Sequence, residues 1–199
     1  MQISKRAFRH LACLAVFVVM TLPAVCRADE QRVLFQFDRQ ADQDWRSVND
    51  NVMGGVSTGR FTVSDDATFQ FFGRLSLANN GGFASVRSSP RSLGLDAGDL
   101  IHLRIRGDGR KYFVDLRVPT SQTAFTYRVS VQTVSNEWQE FRIPLTLFKA
   151  TSFGRVVSNS QPLVAGGINS IGFTISDKRP GAFKLHVAWI KAVRPAREE

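Results

Sequence analysis

From residue 33 onward the chain alternates apolar and polar side chains with a period of two, the spacing of half-buried β-strands. In Leu100 to Arg106, Ile101, Leu103 and Ile105 alternate with His102, Arg104 and Arg106. In Lys111 to Val118, Tyr112, Val114, Leu116 and Val118 alternate with Phe113, Asp115 and Arg117. Phe125, Tyr127, Val129 and Val131 repeat the pattern against Thr126, Arg128, Ser130 and Gln132. Gly107-Asp108-Gly109 supplies a hairpin-type turn between the first two of these segments. Further strands are expected over Val33 to Phe37, Thr68 to Phe72, Phe83 to Arg87, Trp138 to Ile143, Ser170 to Ser176 and Ala182 to Val193. Asn79-Asn80-Gly81-Gly82 marks a turn before Phe83, Pro144 stops the Trp138 strand, and Leu145 to Phe148 continues as an edge segment. No amphipathic helix stands out. The pattern predicts an all-β fold, a two-sheet antiparallel β-sandwich of the jelly-roll kind.

One stretch breaks the period. Trp45 to Phe61 reads W-R-S-V-N-D-N-V-M-G-G-V-S-T-G-R-F, and it predicts a shaped loop. Asn49, Asp50 and Asn51 bond readily to their own backbone, and Gly54 and Gly55 allow conformations closed to other residues. Met53 is expected at the tip. Both a tight corner between strands and a binding tip fit these residues, and Asp50, Met53, Gly54, Gly55 and Ser57 are its candidate site residues.

Residues 1–28 have the form of a cleaved secretory signal. Lys5, Arg6 and Arg9 form a basic front, Leu11 to Leu22 is a short apolar run, and Cys26-Arg27-Ala28 offers small residues at the cleavage positions. An exported protein, periplasmic or extracellular, is therefore expected, with a single domain over 29–199 and its core at about 33–193. Both cysteines, Cys13 and Cys26, fall in the leader, so the remainder has no thiol for a disulfide or a metal. The leader also carries four of the 26 basic residues and none of the 17 acidic ones, which lowers the net charge from +9 to +5. With no arginine run, nucleic acid is not an expected partner, and no later segment approaches membrane-spanning length.

No catalytic constellation emerges. His102 and His186 are isolated within strands, and no pair has metal-ligand spacing. Glu137 and Glu140 flank Trp138 without a glycosidase motif, Gly107-Asp108-Gly109 is followed by no helix, and Asp96 and Asp99 are too few for calcium. The expectation is a non-enzyme without cofactor or metal. If the three central segments are neighbours, Arg104, Arg106, Asp115, Arg117 and Arg128 share one wet face, where one acid stands among four arginines. Such a face suits a protein partner with an acidic surface, although a ladder of solvated ion pairs fits the same residues. A glycan is the alternative ligand, and it requires exposed rings for stacking. Trp45 and Trp138, outside the clear alternation, are the candidates.

Five segments carry a family resemblance in order. They are Asp50-Asn51-Val52-Met53-Gly54-Gly55-Val56-Ser57, Phe72-Gly73-Arg74-Leu75-Ser76, Gly81-Gly82-Phe83-Ala84-Ser85-Val86-Arg87, Arg106-Gly107-Asp108-Gly109-Arg110 with Tyr112, and Ile171-Gly172-Phe173 running to Asp177-Lys178. Together they resemble the NADH:ubiquinone oxidoreductase (complex I) intermediate-associated protein 30 family, over nearly all of Val33 to Val193. The resemblance implies a galactose-binding-like β-sandwich. It also implies binding without chemistry, since the family's mitochondrial members are helpers in the assembly of complex I.

Overall fold

The alternating segments become strands because one side of each is apolar enough to cover a shared core while the other side stays wet. The computed structural model describes residues 28–38, 44–119, 125–158 and 160–196. The leader expected over 1–28 lies, apart from Ala28, outside the described residues. The strands are β1 (Glu30–Gln36), β2 (Trp45–Asn49), β3 (Thr58–Val63), β4 (Phe69–Leu75), β5 (Ala84–Ser88), β6 (Leu100–Arg106), β7 (Lys111–Arg117), β8 (Thr126–Gln132), β9 (Trp138–Pro144), β10 (Lys149–Ser152), β11 (Arg155–Val156), β12 (Ser170–Ile175) and β13 (Gly181–Arg194).

They form two antiparallel sheets over one core, so the all-β sandwich expected from the period is the fold observed. The first sheet runs β3-β4-β13-β6-β9, with β1 also paired to β13. The second runs β11-β10-β8-β7-β12-β5-β2. β13 is long enough to serve two neighbours on one side: its first half pairs with β4 and its second with β1, with a register shift between Val187 and Trp189. Ile101, Leu103, Ile105, Tyr112, Val114 and Leu116 all point into the core, as their parity requires.

Three expected connections take a different form, each for an identifiable reason. Gly107-Asp108-Gly109 is no hairpin, because β6 belongs to the first sheet and β7 to the second. The Asp108 carboxylate holds this corner by accepting the Tyr112 hydroxyl at 2.9 Å and the Lys184 amide at 2.9 Å. Next to it, the buried Arg110 guanidinium closes on Asp177 through Nε at 3.0 Å and Nη2 at 2.6 Å. Leu145 to Phe148 is likewise not an edge strand. Leu145–Leu147 is a 3-10 turn that carries the chain from β9 across to β10 in the other sheet. The stretch from Trp45 to Phe61 contains strand at both ends, and its middle crosses from β2 in the second sheet to β3 in the first. β2 hides its period because it is an edge strand, so inward Trp45 is followed by Ser47 and Asn49 where a central strand would place apolar side chains.

Trp45 is therefore a core residue and not a sugar platform. It is 5% exposed, and its ring packs 4.7 Å from Phe69, 5.3 Å from Phe35 and 5.9 Å from Phe37, centroid to centroid. Its indole Nε1 is buried with no hydrogen-bond partner among the described residues. Trp45→Ala should cost about 3–5 kcal/mol of stability. Trp45→Phe should cost much less, because it keeps a ring while removing an unpaired donor. Urea midpoints check both; an alanine variant within about 1 kcal/mol of the parent would contradict a core role.

Candidate functional site

Asp50 is completely buried, and no cation approaches its carboxylate among the described residues. Hydrogen bonds take the place of a counter-charge. Oδ1 accepts the Ser57 amide at 2.8 Å; Oδ2 accepts the Ser57 hydroxyl at 2.6 Å, the Gly82 amide at 2.7 Å and the Phe83 amide at 3.3 Å. Burial pushes this carboxyl up, but the donors outweigh it and hold it below the ordinary aspartate value. The cage also explains two glycines. A Cβ on Gly55 would stand 2.4 Å from Asp50 Cγ, and one on Gly81 would stand 2.6 Å from Oδ2. Gly54 is needed for a different reason, its φ of +89°, which ends the 3-10 turn Asp50–Met53.

Of the candidate loop residues, Asp50, Gly54, Gly55 and Ser57 thus build the loop and present no free group to a ligand. Met53 is what they present. It is 52% exposed, and Val52 and Val56 beside it are also exposed. Ser57 joins this tip to the next loop, since its hydroxyl oxygen accepts the Ser76 amide at 3.0 Å, bringing exposed Leu77 alongside.

The expected arginine face divides in two, because β6 and β7 lie in different sheets. Arg104 and Arg106 stand on the outer face of the first sheet, whereas Asp115, Arg117 and Arg128 stand on the outer face of the second. On the first face both guanidiniums lie over the half-buried Trp138 ring, Arg104 at 5.4 Å and Arg106 at 5.0 Å. The ring expected to stack on sugar is therefore occupied by cations. Cross-strand register adds His186 opposite Arg106, Trp189 opposite Arg104 and Lys191 opposite His102. Arg60 and Lys184 flank Phe72 on the same side. Its acids include Glu140, which His102 Nε2 approaches to 3.0 Å, and Asp29, which accepts from Arg142 opposite His102. His186 is pushed below its ordinary pKa by burial first, then by the charges of Arg106 and Lys184.

On the second face Arg128 grips Asp115 with both nitrogens of its fork, at 3.0 and 3.1 Å, and Thr174 donates to Asp115 at 2.6 Å. Register places Lys149, Arg128, Asp115, Gly172, Arg87 and Arg46 in one row across five pairings, with Arg117 one step along. Arg46, Arg87, Lys149, Trp189 and Lys184 were not among the sequence candidates. Arg87 and Lys184 stand in expected strands, but which strands lie side by side was not readable. Arg46 lies in the stretch without a period, Lys149 beyond any expected strand, and Trp189, expected to point inward with Val187, is turned outward by the register shift between them. Asp96 and Asp99, considered for calcium, are instead met by the Arg194 guanidinium, with Nε 2.9 Å from Asp99. Among the described residues no three His, Cys, Asp or Glu side chains gather as a metal site.

A family model for complex I intermediate-associated protein 30 matches residues 35–187. The chain belongs to that family. The mitochondrial complex I intermediate-associated protein 30 of Mus musculus is 30% identical over 184 residues, covering 81% of this chain and 56% of the mouse protein. A probable mitochondrial member from Caenorhabditis elegans is 28% identical, covering 82% of this chain and 54% of its own length. The chain thus spans little more than half the length of these relatives. Both are named as mitochondrial proteins, as is a matching relative from Caenorhabditis briggsae. That finding overturns the exported, periplasmic or extracellular location expected from residues 1–28.

Among solved structures, the family 11 carbohydrate-binding module of a Clostridium thermocellum cellulase superposes with a TM-score of 0.63 at 17% identity, covering 87% of this chain and 99% of the module. The same module bound to a mixed-linked tetrasaccharide gives 0.59 at 16% identity, over 85% of this chain and 98% of the other. At such identities the likeness shows the fold alone. It places this member of the complex I intermediate-associated protein 30 family on a galactose-binding-like sandwich, as its ordered motifs implied.

The two glycines of the loop should fail differently on substitution. Gly55→Ala drives a methyl into the Asp50 carboxylate and should cost about 2–3 kcal/mol; Gly54→Ala meets open space but a left-handed backbone, and should cost about 1 kcal/mol. Equal urea midpoints for the two variants would contradict the cage.

Acid should release the cage as well. The carboxyls of Asp50 and Asp177 are both held below the ordinary range, Asp177 because burial is outweighed by Arg110 and the Arg179 amide. A depressed folded pKa gives stability that is full above the unfolded value of about 3.9 and is lost as pH falls through the folded value. Unfolding midpoints should therefore hold from pH 7 to about 5 and drop steeply below about 4. Asp50→Asn should lower the plateau by about 2–3 kcal/mol and flatten that drop.

Proposed function

We propose that this chain acts, over residues 29–199, as a non-catalytic protein-binding domain that helps to assemble respiratory complex I. It docks on an acidic surface of its partner. The observation that carries the docking mode is the outer face of the first sheet. There Arg104 and Arg106 stand over Trp138, with Lys184, Lys191 and Arg60 around them and Glu140 as the facing acid. A surplus of exposed cations on a stiff sheet, beside half-buried indole rings, supplies long-range attraction and desolvated anchors together. The caged tip with Val52, Met53 and Val56 adds an apolar contact whose shape is fixed before binding, so little ordering entropy is lost on docking. Family membership supplies the assembly role, since the mouse and worm relatives bear that name. The glycan alternative has lost both of its proposed platforms, Trp45 to the core and Trp138 to the two arginines.

Capture with the tagged chain from the membranes of its own cells, resolved by native electrophoresis, tests this reading. Complex I subunits should come with the parent chain at moderate salt and be lost at high salt. The double reversal Arg104→Glu with Arg106→Glu should weaken capture roughly tenfold while changing stability little. Capture without complex I subunits, or undiminished capture by a folded double reversal, would contradict it.

A further inference from the structure

Among the described residues, three arginines on the outer face of the second sheet, opposite the proposed docking face, have no hydrogen-bond partner for their side chains. Arg46 and Arg87 stand directly across from each other on β2 and β5. Arg87 in turn faces Gly172 on β12, and Arg117 approaches from β7 on the other side, paired with Ser170. Among the described residues no hydrogen bond reaches the side chains of Arg46, Arg87 or Arg117, and the Nε atoms of Arg87 and Arg117 are buried without an acceptor. Asp115 cannot serve them fully, because Arg128 and Thr174 already occupy it.

Such an arrangement is costly unless something else is bound. Like charges directly opposite each other destabilise a sheet, and a guanidinium N–H withdrawn from water without an acceptor carries its desolvation penalty. Burial, then the charges of Arg117 and Arg46, push Arg87 down to about 10, far below the ordinary arginine range. Burial pushes Arg117 down too, partly offset by Asp115. Gly172 puts no side chain of its own between these arginines, and it has to be glycine, since a Cβ there would stand 2.4 Å from the Val86 carbonyl oxygen and 3.0 Å from Arg87 Cβ.

We propose that Arg46, Arg87 and Arg117 form a binding site for a phosphoryl group seated over Gly172. With Arg128 and Asp115 cancelling each other, the charges of Arg46, Arg87 and Arg117 remain near Gly172, with Lys149 farther along the row beyond Arg128. A single carboxylate would leave two of them unanswered. A phosphoryl group brings about −1.5 to −2 charges and three acceptor oxygens, which suits several guanidiniums close enough to act on one another's charge. The group can arrive on a soluble phosphate ester or on a phospholipid headgroup; the chemistry recognised is the same. The site lies on the opposite sheet from the protein-docking face and does not depend on that reading.

Thermal unfolding and calorimetric titration of the full chain with inorganic phosphate, against chloride at equal ionic strength, test the site. Phosphate should raise the melting temperature saturably, and chloride should not. Arg87→Met, which keeps the aliphatic stem, and Arg117→Met should each weaken phosphate binding roughly tenfold or more. In phosphate-free buffer Arg87→Met should be at least as stable as the parent, a result that a merely structural arginine would not give. Arg46→Met, on an exposed edge-strand position, keeps the test open should the others fail to fold, and it too should weaken phosphate binding. Sedimentation with phosphatidylcholine vesicles containing phosphatidic acid separates the sources: binding lost in Arg87→Met identifies a headgroup ligand, and a phosphate response without vesicle binding identifies a soluble one. Equal responses to phosphate and chloride, or an undiminished phosphate response in the folded variants, would overturn the proposal.

Discussion

A carboxylate taken out of water with no cation beside it survives only where several donors converge on it, and the crossing between the two sheets is built around that requirement at Asp50. The amides of Gly82 and Phe83 belong to the approach to β5, while the amide and hydroxyl of Ser57 belong to the approach to β3. One side chain thus ties together the segments that enter two strands of different sheets. Losing it would take the acceptor from three backbone amides, those of Ser57, Gly82 and Phe83, while the Ser57 hydroxyl would keep the Ser76 carbonyl, which is the expensive side of the hydrogen-bond balance for the amides. The exposed Met53 tip is held from behind by this arrangement, in which the Asp50 carboxylate is satisfied.

A second corner follows the same logic with the opposite charge. Arg110, buried next to the Gly107-Asp108-Gly109 turn, finds Asp177 on the segment leading into β13 and also donates to the backbone carbonyls of Arg179 and Ala182. Asp108 completes it by accepting Tyr112 and Lys184. Gly107 has to be a glycine because a Cβ there would stand 2.3 Å from the Thr133 hydroxyl oxygen. Each corner joins chain segments distant in sequence through a buried ion, and between them they determine which faces the arginines occupy. The first sheet receives Arg104 and Arg106, the second Arg117 and Arg128, on opposite sides of one core.

The strands with a clear two-residue period were legible because their signal is local, whereas β2, β3, β10 and β11 fell outside the expected strands. β6 is bounded where the alternation bounds it, at Leu100 and Arg106, and β7 ends one residue short of the expected Val118. The neighbours of a strand are not a local property. A Gly-Asp-Gly turn reads as a hairpin, but here its aspartate takes Tyr112 on one oxygen and Lys184 on the other at a corner between two sheets, and the hairpin reading merged two faces into one. Trp45 was misread for a related reason: on an edge strand its polar companions conceal the parity, and the rings that bury it come from β1, β4 and the segment after β1. The ordered motifs carried more than any one spacing. Asp50 to Ser57 and Gly81 to Arg87 are separate in sequence and meet at a single carboxylate; Arg106 to Tyr112 and Asp177 meet at a single guanidinium. Arg87 lay within one of those motifs, yet its value as a ligand-binding cation depended on Arg46 and Arg117, which only the sheet order brings near.

Amide hydrogen exchange at Ser57, Gly82 and Phe83 tests the central claim, that the Asp50 carboxylate fixes the loop as part of the core. These three amides lie outside regular strands, where fraying loops exchange with almost no opening cost. They are expected to exchange as slowly as core strand amides at pH 6, and to lose protection together in Asp50→Asn while the amides of β6 and β7 keep theirs. Fast exchange at Ser57 and Gly82 in the parent chain, or protection that survives in Asp50→Asn, would contradict the account.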